Sequence, residues 1–288
     1  MKRVRAIAVL PALFTLGNLV CGFFSIVVAA RVEPPVAAVE TTTRAERRAV
    51  ARESAMIGPT DPANIALGAA LIFLAMVFDA FDGQVARMSR ATTDFGGQLD
   101  SLCDVVSFGV APGFLLVKMC PNFTYLHREA IWIIAAAFAA CAALRLARFN
   151  VETSEEDDHL YFSGLPSPAA AGSVASFAIA FYALRQPDTV LAYANQIDVA
   201  LQAVLPYYGL LAAVLMVSRI RYPHVVNQLF HGPRTFSHLV RLVFALVAVM
   251  AVPFYSVPII CCVFVLSSPL RYLWQAVVLR RPQTEPLF

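Results

Sequence analysis

The chain has 288 residues, 59% of them hydrophobic and 14% charged. An ordinary soluble domain is about 25% charged, so the composition argues against a soluble globule and for a lipid setting. The formal net charge of +3 is too small to support a nucleic-acid partner, and Lys and Arg are therefore read by position.

A membrane-spanning helix needs about 20 mostly apolar residues. The first predicted span covers 8–30. Lys2, Arg3 and Arg5 followed by an apolar run resemble a signal peptide, but the polar patch from Thr15 to Asn18 and the lack of an A-x-A-like site favour a retained helix. Residues 31–62 turn polar, with Pro34-Pro35, an Arg/Glu mixture and the turn-forming GPTDP at 58–62. They predict a long loop with a short surface helix over 43–56. Further spans are predicted at 63–85, 94–119, 128–150, 166–184 and 199–218. The turn at 89–93 between the second and third is short, and an acidic loop at 152–159 follows the fourth. After a basic stretch at 219–238, apolar runs at 239–252 and 254–278 flank Pro253 and read as two helices or one kinked helix. The sum is an all-α polytopic bundle of about eight helices, within a range of six to eight, in one integral-membrane domain over 1–288. Six cysteines (Cys21, Cys103, Cys120, Cys141, Cys261 and Cys262) lie mostly in the apolar runs without metal-ligand spacing, which makes them small fillers.

With the N-terminus inside and eight spans, Arg87, Arg90, Arg145, Arg148, Arg219, Arg221, Arg234, Arg280 and Arg281 all fall on the inner side. The loop at 31–62 then lies outside despite its five Arg, a length at which the charge rule weakens. This topology predicts a cytoplasmic face for the segment between the second and third spans.

That segment carries the chemistry. Asp79 and Asp82 are spaced i,i+3 near the end of the second span, and Asp100 and Asp104 are spaced i,i+4 near the start of the third. Each pair shares one helix face. A short connection makes the helices antiparallel neighbours, so the pairs can face one another. Four carboxylates at one point repel, and a carboxylate inside a bilayer is costly, at about 2.5–3.5 kcal/mol for Asp on one insertion scale. Divalent cations remove both problems. All-oxygen ligands suit magnesium, calcium or manganese, and magnesium completes its shell with substrate phosphates. Gly83 and Gly96 allow close approach to the backbone, and Arg87 can neutralise phosphate oxygens or pair with Asp82. The plainer alternative is a set of helix caps and salt bridges.

The pattern D-x2-D-G-x2-A-R-x8-G-x3-D-x3-D is complete from Asp79 to Asp104. It resembles the signature of the CDP-alcohol phosphotransferases, integral membrane enzymes that move a phosphate-linked group from a CDP-alcohol to a second alcohol and release CMP. Flanking segments (PALFTLGNLVCGF at 11–23, QLDSLCDVVSFGVAP at 98–112, RLARFN at 145–150, FSGLPSPAAAG at 162–172 and MVSRIRYP at 216–223) resemble the branch of membrane-bound phosphatidylserine synthases. The loop at 31–62 is longer than that resemblance leads one to expect, and 224–237 is individual.

The resemblance implies that Asp79, Asp82, Asp100 and Asp104 hold two divalent ions, magnesium or manganese. It implies that Asp104 is the general base, and that Gly83, Ala86, Arg87 and Gly96 line the cytidine diphosphate pocket with polar help from Thr15 and Asn18. CDP-diacylglycerol and L-serine would be the substrates, membrane lipids and a second copy of the chain the partners, and the bacterial inner membrane the location. Arg145 and Arg148 read either as snorkelling anchors or, from the resemblance, as holders of the lipid phosphate or serine carboxylate. Arg219 and Arg221 suit anionic lipid as well as a substrate, and Ser167 is a weaker substrate candidate. The histidines show no ligand spacing. Two other functions remain open. One is a sister transferase using glycerol phosphate, inositol phosphate or choline. The other is a divalent-cation transporter, which predicts carboxylates spread across membrane depth.

Overall fold

Long apolar stretches can cross lipid only if every backbone N–H and C=O is satisfied within the segment, which forces them into helices. The computed structural model describes residues 9–32, 62–89, 94–121, 123, 128–152, 161–186, 189, 193–223 and 236–277. The predicted surface helix at 43–56, the turn at 90–93, the acidic loop at 153–159 and the basic residues Lys2, Arg3, Arg5, Arg90, Arg234, Arg280 and Arg281 lie outside them.

In chain order come α1 (Val9–Ala30), α2 (Pro62–Ser89), α3 (Asp94–Asp104), a π-helical turn (Val105–Val110), α4 (Ala111–Met119) and α5 (Arg128–Glu152). They are followed by β1 (Tyr161–Ser163), α6 (Ser167–Leu184), α7 (Ala194–Val217), β2 (Arg221–Pro223), α8 (Phe236–Ala251) and α9 (Pro253–Val277). The chain runs without a break from α3 through the π turn into α4, so the described residues form eight helical rods. Seven of them are long and apolar enough to cross a membrane, and the protein is an integral membrane protein. The exception is α8, whose 16 residues reach roughly 24 Å at 1.5 Å per residue, short of the ~30 Å hydrocarbon core. Val252 separates α8 from α9, which opens on Pro253, so the two closing runs are two helices.

Lipid supplies no hydrophobic drive between helices, and close packing through small side chains takes its place. A Cβ on Gly113 of α4 would come within 2.9 Å of Ala135 O on α5, so these two backbones touch. The Ala- and Ser-rich face of α6 buries Ala170, Ala171, Gly172, Val174, Ala175 and Ala178 at the centre of the bundle, where α2 and α9 pack on it. Ser25 of α1 donates to Gly68 O of α2 at 2.8 Å, along the most extensive helix pairing in the fold.

Hydropathy gave no sign of the antiparallel ribbon of β1 and β2, in which Phe162 pairs with Tyr222. Gly164, at φ +82°, turns the chain from β1 toward α6; its N–H donates to Ile220 O at 3.0 Å. Tyr222 is fully buried and donates to Val265 O of α9 at 2.9 Å, which fixes the ribbon across one end of the bundle. At the far end of α6, Arg185 Nε donates to Asp198 Oδ1 of α7 at 2.8 Å, with both side chains at least 85% buried. There too Lys118 donates to Val32 O at 2.8 Å, two residues past the end of α1.

Candidate active site

The site forms where α2 ends, α3 begins and α1 lies behind both. Asp79 stands 17 residues into α2, roughly 26 Å from Pro62, so it lies near one face of the membrane. Carboxylate oxygens of Asp79, Asp100 and Asp104 lie within 4.8 Å of one another, in a group that could hold a metal ion. The carboxylates therefore cluster at one depth, which is not the spread that a cation pathway predicts.

Asp82 is beside this group but not within it. It is buried, and its Oδ2 accepts a hydrogen bond from the Thr15 hydroxyl of α1. One turn along α1, Asn18 Nδ2 donates to Asp104 Oδ1 at 2.9 Å. Thr15 and Asn18, read from the sequence as polar contacts for a nucleotide, are 2% and 0% exposed and spend these donors on carboxylates.

The π turn begins directly after Asp104. The Ala111 N–H donates to Val106 O, five residues back. Such a turn inserts one residue into a helix, which rotates the Asp100–Asp104 face by about 100° relative to α4. Ser107, inside the turn, donates to Asn18 O at 3.0 Å. Opposite it is Gly22, where a Cβ would lie 2.7 Å from Ser107 Cα; only glycine permits this approach. Asn18 is thus bonded through its side chain to Asp104 and through its carbonyl to the residue three places on. Sequence reasoning passed over Ser107 and Gly22. Their signal was a small residue in each apolar run within one helical turn of a site residue.

The donor set fits a hard divalent cation. Asp100 Oδ1 is buried and accepts no hydrogen bond from the described residues, and an unsatisfied buried acceptor costs about 1–3 kcal/mol. Three carboxylates converge on the same point, with Arg145 of α5 within electrostatic reach of Asp104. A bound cation would satisfy the orphan oxygen and offset the remaining negative charge.

The other predicted residues surround this centre. A Cβ at Gly83 would meet nothing within 4 Å among the described residues, which leave the α2 backbone open there. Ala86 and Arg87 continue α2, and their side chains lie outside the described residues. Gly96 sits partly exposed in the first turn of α3. Arg145 does not snorkel: its Nη1 donates to Ser167 Oγ, at the buried start of α6, at 2.9 Å. Arg148 Nη1 reaches Val217 O at 3.5 Å, at the end of α7. Arg219 is exposed, and the Arg221 side chain lies outside the described residues. Asn150 Nδ2 donates to Ser101 Oγ at 2.9 Å and ties α5 to the turn between Asp100 and Asp104.

A bundle of membrane-spanning helices, with carboxylates from two adjacent rods gathered at one end, is the frame that the aspartate signature requires. The profile of the CDP-alcohol phosphatidyltransferase family matches residues 8–215, and the chain belongs to that family. Among curated proteins it is similar to the CDP-diacylglycerol–serine O-phosphatidyltransferase of Methanocaldococcus jannaschii, at 32% identity over 203 residues, covering 70% of this chain and 83% of the relative. It is 35% identical over 158 residues to the archaetidylserine synthase of Methanothermobacter thermautotrophicus, covering 54% of this chain and 57% of the relative. The CDP-diacylglycerol–serine O-phosphatidyltransferase of Helicobacter pylori is 34% identical over 157 residues, covering 54% of this chain and 59% of the relative. The alignments to the second and third relatives span little more than half of those proteins.

Proposed function

We propose that the protein transfers the phosphatidyl group of CDP-diacylglycerol to L-serine, giving phosphatidylserine and CMP. The observation that carries this reading is the convergence of Asp79, Asp100 and Asp104 within 4.8 Å, inside a chain of the CDP-alcohol phosphatidyltransferase family. The relatives' names support the acceptor, since both the phosphatidyl and the archaetidyl enzymes are named for serine.

Asp79, Asp82, Asp100 and Asp104 would hold two divalent ions, magnesium or manganese. When bound, these supply charge neutralisation for the diphosphate and for the departing CMP. Asp104 takes the proton of the serine hydroxyl, which is a weak nucleophile until a base removes it. The serine oxygen then bonds to the phosphorus that carries diacylglycerol, and the bond from that phosphorus to the CMP oxygen breaks. Gly83, Ala86, Arg87 and Gly96 line the path of the cytidine diphosphate; the open space before Gly83 supports this. Arg145 and Arg148 offer cationic donors to the lipid phosphate or the serine carboxylate. The distribution of Arg in the sequence supports a cytoplasmic side for this end of the bundle, and the family resemblance supports a bacterial inner membrane. Residues 1–288 act as one domain, which assembles as a homodimer.

The test is CMP release by the purified protein in detergent, with magnesium or manganese and CDP-diacylglycerol, supplying one alcohol at a time. Release that depends on L-serine supports the reading. Release that depends on glycerol phosphate, inositol phosphate or choline keeps the chemistry and replaces the acceptor. No release from folded, metal-loaded protein overturns it.

A further inference from the structure

Two polar residues on α1 stand out because each donates to a carboxylate on another helix. Thr15 and Asn18 are spaced i,i+3 and therefore share one face, and both are buried. Thr15 donates to Asp82 on α2, and Asn18 donates to Asp104 on α3. One helix outside the aspartate signature thus holds the second carboxylate of one pair and the second of the other. The hold is reinforced from behind. Ser107 Oγ donates to Asn18 O, and Gly22, one turn further along α1, lets the π turn seat against the helix.

We propose that Thr15 and Asn18 are positioning residues that aim Asp82 and Asp104 respectively, and that neither is a contact for the nucleotide. With Oδ2 engaged by Thr15, Asp82 presents Oδ1 to an ion as its freer oxygen. With Oδ1 engaged by Asn18, Asp104 presents Oδ2 to its other partners. Fixing which oxygen is available removes rotational freedom from both carboxylates before anything binds. Groups that orient metal-binding side chains change metal affinity or activity by about 10- to 100-fold when removed. The assignment to metal and base rests on the transferase reading above, so the test needs a readout that does not require turnover.

The test compares Thr15→Val, Thr15→Ser, Asn18→Leu and the unaltered full chain in detergent. Manganese is titrated calorimetrically, CDP-diacylglycerol binding is measured at saturating manganese, and the thermal midpoint is recorded for each protein. Thr15→Val should weaken manganese binding about 10- to 100-fold, and Thr15→Ser, which keeps the hydroxyl, should restore it to within about threefold. Asn18→Leu should lower kcat by about 10- to 100-fold while CDP-diacylglycerol affinity stays within about twofold. Manganese affinity unchanged in Thr15→Val overturns the Thr15 assignment, including where the thermal midpoint alone falls. A large loss of CDP-diacylglycerol affinity in Asn18→Leu makes Asn18 a substrate contact and overturns its assignment. The manganese arm reads without catalysis, so a failure of the serine acceptor leaves its outcome decisive.

Discussion

Gly22→Ala should disable the site from a position that touches no carboxylate. The added Cβ would lie 2.7 Å from Ser107 Cα, whereas carbon atoms in contact sit about 3.5–4.0 Å apart. Both atoms belong to backbone-bound positions, so no rotamer relieves the overlap, and α1 and the π turn must separate by roughly 1 Å. Asn18 Nδ2 is 2.9 Å from Asp104 Oδ1, and Ser107 Oγ is 3.0 Å from Asn18 O. Lengthening either by roughly 1 Å takes it beyond about 3.5 Å, where a hydrogen bond is lost. Overpacking of this kind costs about 1–3 kcal/mol of stability, and a misplacement of ~1 Å can cost about 100-fold in rate. The assay is CMP release at saturating substrates, with thermal unfolding in detergent on the same preparation. A lower midpoint together with a kcat reduced by at least about tenfold is expected. Unaltered kcat and midpoint would show that α1 and the π turn are not in this contact, and the reasoning would fail.

Gly83→Ala provides the contrast. Among the described residues nothing lies within 4 Å of its Cβ position, and Ala is favoured over Gly in a helix by about 1 kcal/mol, so thermal stability should hold or rise while CDP-diacylglycerol affinity falls. Unchanged affinity would remove Gly83 from the pocket. Asp100→Asn retains the shape of the side chain but not its charge, and Asp100 Oδ1 is a buried oxygen that accepts no hydrogen bond from the described residues. Manganese binding, followed by calorimetry, should weaken by more than about tenfold, with CMP release lost in parallel; full binding would contradict the ligand role. Asp198→Ala leaves Arg185 largely buried without its carboxylate, roughly 27 Å along α6 from the site. Loss of one partner of a buried pair costs about 3 kcal/mol. The unfolding midpoint should therefore drop while CMP release per folded molecule stays constant, and a selective loss of activity would tie that end of the bundle to catalysis.

The sequence disclosed the parts of this protein that local chemistry determines. Apolar runs of spanning length located the membrane helices, because a bilayer enforces hydropathy directly. The i,i+3 and i,i+4 aspartate spacings placed Asp79, Asp100 and Asp104 on facing helix surfaces, and the structure brings these three together. What was not legible depends on partners distant in the chain. Thr15 meets Asp82 across 67 positions and Ser107 meets Asn18 across 89, and no periodicity reports such pairs. The π turn was hidden because its residues are as apolar as an ordinary helix requires. The ribbon from Tyr161 to Ser163 and Arg221 to Pro223 was hidden because three-residue strands are too short to show alternation. The end of α2 was placed at Val85 by hydropathy, but the helix continues to Ser89, since its last turn leaves the apolar layer without losing its hydrogen bonds.

The most direct measurement follows the atoms. Purified protein with manganese, CDP-diacylglycerol and isotopically labelled L-serine should yield CMP and labelled phosphatidylserine in equal amounts by mass spectrometry, and neither product without serine. CMP formed with no label in the lipid, or label transferred only from a different alcohol, would contradict the proposed reaction.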